Sequence, residues 1–178
     1  DSIIGTSSFR REFQLKNKRD DLNYKLIRGN VDTRIKKLNQ KLYDAVVLSF
    51  AGFNSLNLNE HISEIFPIDE ILPSAGQGVI ALQCKSDDEY IKNVLKKIND
   101  EKTFKSVQAE RNVLKVLEGD CETAVGAIAE INNENITLQG ELFSLDGKER
   151  FYYKSTKDIK QAAELGIEIG ENLKKQSK

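Results

Sequence analysis

Two short runs carry most of the chemistry legible in this chain. Gly5-Thr6-Ser7-Ser8-Phe9-Arg10-Arg11 is followed soon after by Arg28-Gly29-Asn30-Val31-Asp32-Thr33-Arg34. Each run offers small hydroxyl residues, flexible glycine backbone and paired guanidiniums, and each joins a predicted strand to a predicted helix. Solvated arginines are the bland reading. Arginine at a helix start is mildly unfavourable against the helix dipole, so four such placements need a reason. A carboxylate or phosphate held jointly by guanidinium forks and helix N–H groups supplies one. The set Arg10, Arg11, Arg28 and Arg34 therefore reads as a pocket for an anion with several negative groups.

Other residues carry readings of their own. Gly76-Gln77-Gly78 reads either as a plain turn or as a close backbone approach to a ligand, with the Gln77 amide as orienting donor. Cys121 follows a predicted helix end and is crowded by Glu118, Asp120 and Glu122. The negative helix end and these carboxylates both disfavour a thiolate. An exposed but unactivated cysteine suits a stable covalent attachment better than repeated nucleophilic turnover. Cys84, in an apolar stretch, reads as core. His61 reads as a surface histidine, and Asp69 and Glu70 as solvated carboxylates. Gly166 and Gly170 read as close packing of the last helix on a sheet.

Composition narrows the classes. The 178 residues carry a net charge of −1, so no global field draws nucleic acid and the arginines must act locally. One histidine and two cysteines argue against a His/Cys zinc site, and no metal is expected. The cysteines are too few for a disulfide framework, which points to a reducing cytoplasm. No apolar stretch approaches the ~20 residues that span a bilayer. No signal-peptide pattern opens the chain. There is no methionine, and an apolar strand begins almost at once. The chain is therefore expected to be the C-terminal portion of something longer.

The elements that must position these residues follow from periodicity. Strands are predicted over 2–4, 24–27 and 44–48. A helix capped by Ser7 or Ser8 runs toward Lys18. Another, capped by Asp32 or Thr33, runs through Leu42 with Ile35, Leu38 and Leu42 on one face. The β-α-β-α-β rhythm predicts a parallel sheet, with its third strand buried on both faces. Ligands of such sheets sit outside the carboxyl ends of the strands. Residues 6–11, 28–34 and 49–52 are thus expected to face one crevice. Residues 72–78 punctuate the chain, a strand is predicted over 79–84, and a helix runs from Asp87 or Asp88 to about Ile98. Beyond a boundary near 99–103 the rhythm changes. A helix over 102–118, anchored by Val107, Leu114 and Leu117 and stopped by Gly119, precedes strands over 127–131, 136–145 and 150–154. A last helix covers about 158–174, completing an α+β unit.

Taken together the motifs resemble the porphobilinogen deaminase family, also called hydroxymethylbilane synthase. The run at 5–11 is similar to that family's G-T-S-S-L-R-R, and the run at 28–34 to R-G-N-V-x-T-R. Asp44-Ala45 to Ala51-Gly52 resembles D-A-x-x-L-A-x-A-G, and Leu72-Pro73 to Gln77-Gly78 resembles L-P-A-x-G-Q-G. Glu110-Arg111 to Glu118-Gly119-Asp120-Cys121 resembles E-R-x-x-L-x-x-L-E-G-G-C. The order and spacing agree along essentially the whole chain.

The resemblance implies an enzyme that joins four porphobilinogen units head to tail, releasing ammonia, to give hydroxymethylbilane. It implies a dipyrromethane cofactor on a thioether to Cys121. It also implies cofactor and substrate contacts from Thr6, Ser8, Arg10, Arg11, Arg28, Asn30, Arg34, Gln77 and Gly78. The implied fold is a partial periplasmic-binding-protein-like α/β sheet domain followed by a small α+β domain with a three-stranded antiparallel sheet. Residues 1–72 would be most of a second domain, 73–98 a strand and helix returning to a first, and 99–178 a third. The family's catalytic aspartate would lie upstream, so no catalytic residue is expected in this chain and the fragment alone is expected to be inactive. The expected partners are porphobilinogen, the growing oligopyrrole and the rest of the first domain. No nucleic acid, no membrane and a monomeric state are expected. The chain departs from the family at Ser55, where a basic residue is usual, at Asp120 for the second glycine of E-G-G-C, and at Ser49 for an alanine. A non-catalytic carboxylate-binding module of periplasmic-binding type is the alternative. A phosphate or nucleic-acid binder is a weaker rival, given the charge.

Overall fold

The computed structural model describes residues 2–118 and 123–178. Strand β1 (Ile3–Thr6) lies between β2 (Asn23–Leu26) and β3 (Ala45–Val46), and both pairings are parallel. Ile4 stands opposite Tyr24 on one side and Ala45 on the other. Parallel neighbours cannot be joined by a tight turn, so helices cross over between them. These are α1 (Phe9–Lys18), capped by Ser8, and α2 (Val31–Asn39). Helix α3 (Phe50–Ser55) follows β3. A side chain at Gly5 would force its neighbours to shift. A Cβ there would lie 2.9 Å from Tyr43 and 3.0 Å from Val46.

The expected parallel sheet is present, with three differences in detail. The cap of α2 is Asn30 rather than Asp32 or Thr33, because Asn30 has the extended backbone and its Oδ1 accepts the Thr33 N–H. The helix ends at Asn39, and Leu42 is 53% exposed rather than on its buried face. Lys41 at φ 59° turns the chain out of the helix first. The third strand is two residues long and at most half-buried, not an apolar strand covered on both faces.

Residues 79–84 are not a strand. Ile80 is 89% exposed and Leu82 60%. Extended backbone becomes a strand only when its N–H and C=O groups meet a neighbouring edge, and no described strand pairs with this segment. Cys84 is accordingly half-buried in a loop rather than in a core. Helix α4 (Glu89–Ile98) forms as expected behind its cap Asp88, yet none of its residues is buried.

Helix α5 (Glu101–Leu117) precedes a second sheet with strand order β4 (Val125–Asn132), β5 (Asn135–Phe143), β6 (Arg150–Asp158), antiparallel as expected. Asn133, at φ 57°, makes the tight connection from β4 to β5. A short 3₁₀ turn (Ile159–Gln161) leads into α6 (Ala162–Gln176). Glu118 takes the left-handed cap conformation at the end of α5. The expected stop residue Gly119 lies outside the described residues.

Two compact units result. The first gathers residues 2–72, 123–125 and 142–150; the second gathers 73–118, 126–141 and 151–178. Ile4, Leu15, Ile27, Ile35, Phe53 and Leu72 are buried in the first, with Phe13 clustered against Ala124 and Phe143. The second is organised by the contact of α6 with α5. Gly166 and Gly170 are indeed places of close packing, but against α5 and not the sheet. A Cβ at Gly166 would overlap the Ala109 carbonyl, and one at Gly170 would sit 2.7 Å from the Val116 Cβ. The residues of α5 wholly covered are therefore Ala109, Glu110 and Val113, while the expected anchors Val107, Leu114 and Leu117 are half-buried. Gly140 is the sheet's point of close approach, beneath Ile169 and Leu173 of α6.

Substituting Gly166→Ala should destabilise the protein by about 1–3 kcal/mol, since overpacking against backbone outweighs alanine's better helix propensity. Urea denaturation of the variant beside the wild type measures this.

Candidate functional site

The first unit brings two arginine-bearing turns to one edge of its sheet, because β1 and β2 are parallel neighbours and end side by side. In the first turn Thr6 is buried and its hydroxyl accepts the Ser8 N–H at 3.2 Å. The Ser8 hydroxyl in turn accepts the Arg11 N–H at 3.4 Å and caps α1. Consecutive residues of a helix point about 100° apart, so Arg10 and Arg11 diverge. Arg10 is only 5% exposed and donates to the carbonyl of Leu72, which also accepts from Gln14 Nε2 at 3.0 Å. Arg11 is half-buried, and its Nη1 donates to the Val47 carbonyl, past the end of β3, at 3.1 Å.

In the second turn Asn30 Oδ1 accepts both the Thr33 N–H at 3.0 Å and the Thr33 hydroxyl at 2.7 Å. Gly29, at φ +121°, makes the sharp entry, and a Cβ there would strike Thr33. Arg34 Nε donates to the Gly29 carbonyl at 2.8 Å. Arg28 is exposed, with its carbonyl held by Lys37 Nζ at 2.9 Å. Burial lowers the Arg11 pKa from its ordinary value, and the charge of Arg34 lowers it further. Two guanidiniums held within each other's field beside two helix N-termini make a site where a carboxylate would relieve both costs.

Gln77 and Gly78 belong to the second unit. The Gln77 N–H donates to the Ser74 carbonyl at 3.0 Å, and its side-chain oxygen lies 3.4 Å from the Ser74 nitrogen and accepts from it. Gly76 and Gly78 have φ of +71° and +85°, which glycine alone adopts without strain. Cys121, the expected attachment point, lies outside the described residues. Among the described residues no group of three His, Cys, Asp or Glu side chains could hold a metal ion. Nor is any helix among them long and apolar enough to cross a membrane. His61 is exposed, 3.6 Å from Glu60, and Glu70 pairs with Lys18 at 2.9 Å.

Glu110, named above only as the first residue of a motif, holds a place in the second unit that the motif did not indicate. Glu110 is buried, and its two carboxylate oxygens accept the Gly76 N–H at 2.6 Å and the Ala129 N–H at 2.9 Å. Its signal was present: Val107, Glu110, Leu114 and Leu117 share one helical stripe, so a carboxylate stands where an apolar residue fits the period. The carbonyls of Leu72 and Val47 left no such signal, because backbone acceptors are identical at every position.

The description "Porphobilinogen deaminase, dipyromethane cofactor binding domain" matches residues 1–93, and "Porphobilinogen deaminase, C-terminal domain" matches residues 104–175. The chain is 39% identical to the porphobilinogen deaminase of Desulforamulus reducens over 170 residues, covering 96% of this chain and 55% of that one. It is 39% identical to that of Brevibacillus brevis over 173 residues (97% and 55%) and to that of Syntrophomonas wolfei over 175 (98% and 57%). The chain thus spans about half the length of the curated relatives it matches.

Burial raises the Glu110 pKa against the opposing pull of its two N–H donors. A carboxyl whose folded pKa is raised binds its proton more tightly folded than unfolded. Its contribution is greatest below the ordinary glutamate value and is lost as pH rises through the raised one. The stability gap between wild type and Glu110→Gln, which does not titrate, should therefore narrow as pH rises across that window. Denaturant titrations at a series of pH values read the gap.

Proposed function

The chain belongs to the porphobilinogen deaminase family, and from that premise we propose that the whole protein is a cytoplasmic, monomeric transferase of tetrapyrrole biosynthesis. It condenses four porphobilinogen units into hydroxymethylbilane and releases ammonia at each condensation. The observation that carries the reading is the Arg11–Arg34 pair. A half-buried guanidinium beside a second one, at the carboxyl edge of a parallel sheet, suits a ligand bearing several carboxylates. Pyrroles with acetate and propionate side chains are such a ligand, and each added unit brings more of them.

The residues present fit a dipyrromethane cofactor by the same chemistry. When bound through a thioether to Cys121, that cofactor supplies the pyrrole end on which the chain grows. Arg11, Arg28 and Arg34 bind and orient carboxylates. Arg10 contributes from the buried side of α1, where it ties the turn to Leu72. Thr6, Ser8 and Asn30 fix the two turns through their caps, and Gln77 and Gly78 offer an amide and an open backbone. In this reading residues 1–72 form most of the cofactor-holding domain, 73–98 return to a first domain, and 99–178 carry the anchor. The exposed apolar residues of 79–82 and of α4, including Tyr90 and Ile98, accord with a segment completed by further sheet. No residue of this chain matches the family's catalytic aspartate.

Two outcomes test the proposal. The 178-residue polypeptide alone should show no sustained turnover of porphobilinogen, and steady turnover would refute the placement of the catalytic group. The active full-length enzyme should carry a pyrrolic adduct on the peptide containing Cys121, seen by intact mass, peptide mapping and a pyrrole-specific dye. Active enzyme with Cys121 unmodified overturns the anchor. A protein that binds carboxylates, stains for no pyrrole and turns nothing over is the periplasmic-type binding module instead.

A further inference from the structure

Of all the side chains in the second unit, Glu110 is placed to do more than fill a core. It leaves α5 on the stripe shared with Val107 and Leu114, and one oxygen meets the Gly76 N–H and the other the Ala129 N–H of β4. The turn is fastened a second time, by the Ala127 N–H on the Pro73 carbonyl at 2.9 Å. Gly76 itself lies against Val107 of α5, which an added Cβ would meet at 3.8 Å. The turn that presents Gln77 and Gly78 is thus seated on one helix and one strand, and a single carboxylate joins all three.

Without Glu110 only the Pro73 fastening is left of these two. That bond lies on the far side of Ser74, four residues from the glycine-flanked Gln77. Glycines at φ +71° and +85° have many alternative conformations, and the Ser74–Gln77 hydrogen bonds close the turn on itself without fastening it to α5 or β4, so the turn as a whole would not keep one direction on them without a nearer tie. Two N–H donors on one buried carboxylate are charge-assisted and directional. A hydrophobic side chain on the same stripe would fill the space and fix nothing.

We propose that Glu110 is a positioning residue for the Gln77–Gly78 turn, holding that turn in register with α5 and β4 so that its amide and open backbone meet the ligand. This deepens the reading of the turn as an oligopyrrole contact and rests on it for the identity of the ligand.

The test uses the full-length protein carrying Glu110→Met, which keeps length and removes both acceptors. Amide hydrogen exchange at Gly76, Gln77 and Gly78 should speed up by about 10- to 100-fold, the loss of a charge-assisted hydrogen bond. Val113 in α5 and Ile169 in α6 should keep their protection. KM for porphobilinogen should rise with kcat little changed. Glu110→Asp, which keeps two acceptors on a shorter arm, should recover part of the protection. If the Met variant does not fold, the Asp variant carries the same comparison, with faster exchange at the turn and none at Val113. Exchange that quickens equally in the turn, α5 and α6 makes Glu110 a general support and overturns the proposal. An unchanged turn overturns it too. Wild-type protein lacking deaminase activity would refute the enzymatic reading, while the exchange comparison would still decide the role of Glu110.

Discussion

Parallel pairing of β1 with both β2 and β3 is the constraint from which the rest of the first unit follows. Parallel strands end on one edge, so whatever sits just past them is gathered there by the strand pairing itself. Ser8, Arg11, Asn30 and Arg34 come from residues up to 26 apart in sequence, yet need only that pairing to become neighbours. The close approach is eased by Gly5, where a side chain would press on Tyr43, Val46 and Ile27 and force them to shift. A small residue at the middle of the sheet thus bears on the geometry of charges at its end.

Those charges are not used alike. Helical geometry separates Arg10 from Arg11 by about 100°, and burial does the rest. Arg10 is folded inward onto the end of the first unit's main segment at Leu72, whose carbonyl accepts from it and also from Gln14. Arg11 stays half-buried in the field of Arg34. A guanidinium so placed carries a desolvation cost and a like-charge cost that a nearby carboxylate would offset.

The second unit solves a different problem. Gly166 and Gly170 let α6 approach the backbone of α5, which covers Ala109 and Val113 completely and leaves the expected anchors half-buried. Val107 and Glu110 face the 73–78 turn instead, and Glu110 also reaches β4. Helix packing on one face and turn anchoring on the next are thus consequences of the same two glycines.

Local signals in the chain were sufficient for the element types of both sheets, the caps at Ser8 and Asp88, the family and the residues of the arginine turns, because these depend on nearest neighbours, period and motif. They also misled where the deciding partner was remote. Residues 79–84 have the composition of a strand but meet no described edge, and Leu42 continues an apolar period beyond the point where Lys41 has left the helix. Asn30 displaced Asp32 as cap because backbone conformation, not side-chain type, chooses among neighbouring candidates. Which of two adjacent arginines turns inward, which carbonyls receive them, and that Gly166 meets a helix rather than a sheet were decided only by tertiary packing. Each depends on the distance between groups far apart in sequence, and a residue's type and spacing carry no measure of that distance.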